Sequence, residues 1–215
     1  AGARAAVSAP PEVLDWLGRH DVPLTTVEAN HGCADVRRLY PTVAGAQVVA
    51  LGEATHGSRE FFQLKHRLLQ LLVSTRGFTT FIFEAGLPES LDVEEYLQTG
   101  RGDPARAVAG LGYWPWSTEE VVDLVRWLRA WNESHARKVH FFGMDMQVPD
   151  RAVREVLAYL RRVDGPQAAR FAASLHMATS RYDFFTLDPD GLEALRVEAA
   201  ALLQRLDDQR AAYEG

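Results

Sequence analysis

The sequence predicts an α/β fold: a short parallel or mixed sheet flanked by helices, followed by a mostly helical C-terminal part. Two observations carry this. Short apolar runs alternate with amphipathic helical stretches as far as about residue 162, and from about Pro166 onward only helical periodicity remains. Residues 1–165 are accordingly expected to form an α/β catalytic-core portion, and 166–215 a helical segment continuous with the same domain.

Pro10-Pro11 opens a first short helix, with Val13, Leu14 and Leu17 as its apolar side and Pro23 closing it. Residues Asp35 to Tyr40 form another short helix before Pro41. Gln47 to Leu51 is an apolar run read as a buried strand. Ser58 to Thr75 reads as an amphipathic helix, with Phe61, Leu64, Leu68, Leu71 and Leu72 spaced by threes and fours and Gly77 as its stop. This crossover is long enough to make the strands on either side of it parallel neighbours. Phe78 to Phe83 gives a second strand and Val139 to Phe142 a third. Between them lie helices at Pro88 to Leu97 and Thr118 to Ser134, and another follows from about Asp150 to Arg162. The last helix, about Leu192 to Ala211, repeats Leu192, Leu195, Ala199, Leu202 and Leu206. That stripe requires a packing surface: this chain's own core, further sequence, or a partner.

Composition narrows the function. The 215 residues are 47% hydrophobic and 24% charged, an ordinary globular balance. The net charge of −6 argues against broad nucleic-acid binding, which needs clustered cations. No apolar stretch approaches the roughly 20 residues that span a bilayer, so no membrane partner is expected. Cys33 is the single cysteine, which excludes an internal disulfide framework and fits a cytoplasmic setting.

All three expected strands end in a titratable residue beside a glycine. The first runs into Gly52-Glu53-Ala54-Thr55-His56-Gly57, the second ends Phe83-Glu84-Ala85-Gly86, and the third ends Phe142-Gly143-Met144-Asp145. In open α/β sheets, sites form beyond the carboxyl ends of strands. A histidine there can take a proton from water, and a carboxylate bonded to the imidazole fixes its tautomer. His56 is the candidate base, with Glu53 or Glu84 as its carboxylate. The helix starting near Ser58 offers N–H groups to a developing oxyanion. Lys65 sits inside the apolar stripe of that helix, where a cation ordinarily pairs with a buried acid or snorkels to solvent. Arg59 occupies the first helical turn, facing the site or solvent, and His66 is expected at the surface or in helix packing. Asp145 either joins the site or caps a loop. The aromatic stretch Gly112-Tyr-Trp-Pro-Trp116 offers Trp114 and Trp116 either as walls of an apolar pocket or as packing residues. Glu53, His56, Glu84 and Asp145 also suit a divalent cation, but no zinc-type histidine pair accompanies them, so neither metal nor cofactor is expected.

Four segments share one resemblance. Gly52-Glu-Ala-Thr-His-Gly-Ser-Arg-Glu-Phe-Phe62, Gly77-Phe-Thr-Thr-Phe-Ile-Phe-Glu-Ala85, Trp127-Leu-Arg-Ala-Trp-Asn132 and Phe141-Phe-Gly-Met-Asp145 resemble the erythromycin esterase family in order and spacing. The resemblance covers about Val48 to Arg151. It implies a metal-independent esterase that hydrolyses an ester or macrolactone, possessing a general base at His56, with Glu53 and Glu84 as the family's acidic residues. A basic residue of the intervening helix aligns with Lys65, where macrolide-resistance members resemble one another in carrying arginine; lysine keeps the charge but loses the bidentate fork. The family's downstream histidine motif has no counterpart in these 215 residues, so the chain is expected to be an N-terminal portion of a larger enzyme. A non-catalytic ligand-binding or assembly domain, and acyl transfer on the same fold, are the alternatives to hydrolysis.

Overall fold

The computed structural model describes residues 9–146 and 149–214. The chain divides into two compact units, Ala1–Thr79 and Thr80–Gly215.

In the first unit, α1 (Pro11–His20) begins at a proline in its first turn. A 3-10 turn (Val36–Leu39) leads into α2 (Tyr40–Val43). The long helix α3 (Arg59–Arg76) ends at Gly77, whose φ of 71° provides the left-handed C-terminal cap. Arg67 is the anchor of this unit. It is 1% exposed, and its guanidinium reaches the carbonyls of Thr26 and Gly32 and the carboxylate of Asp35. The loop is thereby tied to the helix, and Arg67 holds the Asp35 carboxyl well below the usual carboxylate range. The stripe expected on α3 is offset: Phe62, Leu69 and Val73 are buried with Leu71 and Leu72, while Phe61, Leu64 and Leu68 are half-buried.

The expected strand at 47–51 does not form, and Val48 is 83% exposed. An extended run becomes a strand only where a neighbour supplies ladder hydrogen bonds. Among the described residues only two strands do so for each other, β1 (Thr80–Gly86) and β2 (His140–Asp145). They are parallel, with Phe81 opposite Phe141 and Phe83 opposite Gly143. The parallel pair is therefore the second and third expected strands, joined by a crossover through α4 (Leu87–Thr99), α5 (Pro104–Ala109), a 3-10 turn (Trp114–Trp116) and α6 (Glu119–Ser134).

The sheet buries Ala85 together with Phe83 and Phe141, the two rings meeting in a tilted contact, within a core that includes Val93, Leu97, Val125 and Leu128. Helix α4 closes the outer edge of β2 with side chains. Glu94 accepts from Phe141 N at 2.8 Å, Ser90 Oγ accepts from Gly143 N at 2.9 Å, and Gln98 donates to Val139 O at 3.0 Å. A covered edge cannot recruit another strand.

Asn132 fastens α6 to the start of β2. It is 1% exposed, accepts from Val139 N at 2.7 Å and donates to Val139 O at 2.8 Å. Asn132→Leu fills the volume but orphans a buried N–H. The expected loss is about 2–3 kcal/mol, read as a thermal midpoint lowered by roughly 5–10 °C.

After β2 come α7 (Asp150–Val163), α8 (Gly165–Ser174), a 3-10 turn (His176–Thr179), α9 (Arg181–Phe185), α10 (Pro189–Asp208) and α11 (Arg210–Glu214). They share a core of Leu157, Leu160, Phe171, Leu175 and Leu202, with Leu195 and Leu206 packed against it. Leu195, Leu202 and Leu206 of the last helix's stripe thus find a surface within the chain, while Leu192 and Ala199 are exposed. Asp164 caps α8 and accepts from Tyr213 Oη at 2.5 Å and Arg205 Nη2 at 2.8 Å, which ties the C-terminal turn to this core.

Candidate active site

The residues singled out in the sequence fall into two clusters, one in each unit. In the first unit, Glu53 is bonded on both oxygens. Oε1 meets His56 Nδ1 at 2.5 Å, and Oε2 accepts from Lys65 Nζ at 2.5 Å. Glu53 and Lys65 side chains are 8% and 17% exposed, while the His56 ring is 49% exposed. Two local features build this arrangement. Gly57, at φ 82°, turns the chain directly after His56 in a conformation that favours glycine. Lys65 lies in the second turn of α3, with its ammonium over the Phe62 ring at 5.6 Å. Glu53, one of the two acids expected for the imidazole, is bonded to it, and Lys65 pairs with that buried acid instead of snorkelling to solvent. Arg59 is exposed at the start of α3, and His66 is buried in the helix packing beside Gln70.

The electrostatics follow from this geometry. Burial pushes the Glu53 carboxyl up, but the hydrogen bonds and charges of Lys65 and His56 outweigh it and hold the group below its ordinary range. Glu53 is therefore ionised at neutral pH. An ionised carboxylate only accepts, so Nδ1 of His56 carries the proton. In the neutral ring the lone pair then lies on Nε2, the arrangement required of a base.

In the second unit, β1 carries Glu84 two residues before its end, and β2 ends at Asp145. The pairing slips between Phe83 and Gly86, placing one extra residue in β1. Such a bulge re-aims the side chain it carries, and Glu84 is exposed. The aromatic loop divides its roles. Trp114 is 73% exposed, whereas Trp116 is 4% exposed and packs on Phe83 at 4.8 Å. Trp116 Nε1 donates to the Glu84 carbonyl at 2.7 Å, and Tyr113 Oη donates to Asp145 Oδ2 at 3.3 Å. Tyr113 was not singled out as a site residue by sequence; its place beside Trp114, ahead of a helix, was the available signal. Among the described residues no three His, Cys, Asp or Glu side chains gather as metal ligands, and no helix is long and apolar enough to cross a membrane.

The sequence profile described as erythromycin esterase matches residues 73–215. The chain belongs to the erythromycin esterase family. The match begins within α3, so Glu53, His56 and Lys65 precede it. An erythromycin esterase type II from Escherichia coli is 31% identical over 133 residues, 61% of this chain and 31% of its own. A Bacillus cereus protein of known structure superposes with a TM-score of 0.80 at 28% identity, covering 95% of this chain and 51% of its own. A succinoglycan biosynthesis protein superposes at 0.79 with 26% identity, covering 98% of this chain and 54% of its own. The chain thus spans about a third of the curated relative's length and about half of each solved structure's.

Proposed function

We propose that the protein is a hydrolase of carboxylic esters or lactones in which His56 activates water. The observation that carries this is the bridging Glu53, held ionised by Lys65 on one oxygen and orienting His56 through the other. Nε2 takes a proton from water as the oxygen adds to the ester carbonyl. The tetrahedral intermediate collapses with expulsion of the alkoxide, which recovers the proton from the imidazolium, giving acid and alcohol. By its place in the second of the resembling segments Glu84 is a further acidic residue of the reaction, and within the second unit Asp145 and the exposed Trp114 are candidates for holding a bulky substrate. The erythromycin esterase relative makes a macrolactone the first substrate to try. No step requires a metal. A cytoplasmic location, with no nucleic-acid or membrane partner, accords with the acidic balance and single cysteine.

The test compares wild type with His56→Ala on a macrolactone and on a simple aryl ester. Loss of a general base is expected to lower the rate by about 10²–10⁴-fold while circular dichroism is unchanged. Equal rates in the two proteins would discard His56 as the base.

A further inference from the structure

The loop between α5 and α6 reaches the carboxyl ends of both strands. Trp116 donates its indole N–H to the carbonyl of Glu84 at 2.7 Å, and Tyr113 donates its hydroxyl to the carboxylate of Asp145 at 3.3 Å. The first bond falls on the bulge. The extra residue of a bulge is left out of the ladder, so its polar backbone needs a donor from elsewhere. A buried indole N–H likewise needs an acceptor. Each group solves the other's problem at a residue whose side chain is exposed. The ring of Trp116 against Phe83 at 4.8 Å sets the depth of the contact.

We infer that Trp116 and Tyr113 are positioning residues, a two-point clamp that fixes Glu84 through its backbone and Asp145 through its carboxylate. This rests on the reading above in which Glu84 serves the reaction. Trp116 touches no reacting atom; it holds the bulge in the one conformation that aims Glu84. A plain packing residue would need the ring but not the N–H, and Trp116→Phe separates the two. Tyr113→Phe separates ring from hydroxyl in the same way.

The experiment uses the full chain. Hydrogen–deuterium exchange is followed in wild type and Trp116→Phe, alongside ester hydrolysis in a double-mutant cycle with Glu84→Gln. The clamp predicts faster exchange confined to residues 84–86, with Phe81 to Phe83 as in wild type. It also predicts kcat lowered about 10-fold with KM nearly unchanged, and no further loss when Trp116→Phe is added to Glu84→Gln. Tyr113→Phe is paired with Asp145→Asn in the same cycle, with the same non-additivity expected. Unchanged exchange, or loosening spread along the whole strand, overturns the clamp whether or not the protein hydrolyses the esters supplied. Additive losses in either cycle overturn it too. Failure of the hydrolytic reading shows separately, as equal rates for wild type and His56→Ala.

Discussion

Glu53→Gln is expected to lose about 10³–10⁴-fold in hydrolysis, as much as removal of the base itself, though it changes one atom. The reason is donor arithmetic. Lys65 has only donors, so it holds the amide oxygen of the new glutamine and leaves the amide NH₂ facing His56 Nδ1. That NH₂ can only donate, so Nδ1 must become the acceptor and Nε2 takes the ring proton. The imidazole is then in the tautomer that cannot accept from water. Adding Lys65→Met frees the amide to turn its oxygen toward His56, so the double variant should recover part of the lost rate. Lys65→Met alone removes the first of the interactions that lower the Glu53 carboxyl. In wild type that lowered value means the network is fully present above the ordinary carboxylate range and fails only as pH falls through the lowered one. In Lys65→Met the failure should begin at higher pH. Steady-state rates across an acid pH series check all three variants. A double variant no better than Glu53→Gln would refute the tautomer argument.

The site was legible to different depths in its two parts. The Glu53–His56 pair could be read because the two stand three positions apart just ahead of Gly57, and Lys65 because a cation inside an apolar stripe demands an acid. These are local facts about one turn and one helix. The sequence leaves both Glu53 and Glu84 open as partners of His56, and the hydrogen bond observed within the first unit is the one to Glu53. Tyr113 escaped notice because its partner Asp145 is 32 residues away and nothing in a tyrosine's neighbours announces a distant carboxylate. The bulge at Glu84 escaped for a related reason: it is a property of two strands compared, not of either alone.

The fold shows the same division. Helices with caps were legible: Gly77 ends α3, and Thr118 caps α6 by accepting from Val121 N. The run at 47–51 has the composition of a strand, but strand identity depends on a partner, and β1 pairs with β2. The edge of β2 is satisfied by Glu94, Ser90 and Gln98 of a helix, a substitution of side chains for a ladder that no periodicity reveals. The family profile covers the second unit and the end of α3, whereas the resemblance read in the sequence also takes in the Glu53–His56 turn.

Gly143→Ala should be the most damaging small substitution in the second unit. Gly143 pairs with Phe83 just before the bulge, and a Cβ there would overlap the carbonyl oxygens of Ala85 and Gly86 on the neighbouring strand. Those are backbone atoms within a hydrogen-bonded sheet, so relief requires moving one strand. Moving β2 breaks the bond from Gly143 N to Ser90 Oγ, and moving β1 displaces the segment that carries Glu84. The expected cost is about 3 kcal/mol, a fall of roughly 6–12 °C in thermal midpoint. Two other glycines serve as controls. At Gly86 the atoms in the way belong to the end of the Glu89 side chain, which can swing aside, so Gly86→Ala should cost much less. At Gly18, within α1, nothing lies within 4 Å, so Gly18→Ala should be neutral or stabilise through helix propensity by up to about 1 kcal/mol. Thermal unfolding of the three variants ranks them. A Gly143→Ala protein as stable as wild type would mean that the close approach of β1 to β2 at Gly143 is not needed for stability. A Gly143→Ala protein that stays folded but hydrolyses poorly would place the damage at Glu84.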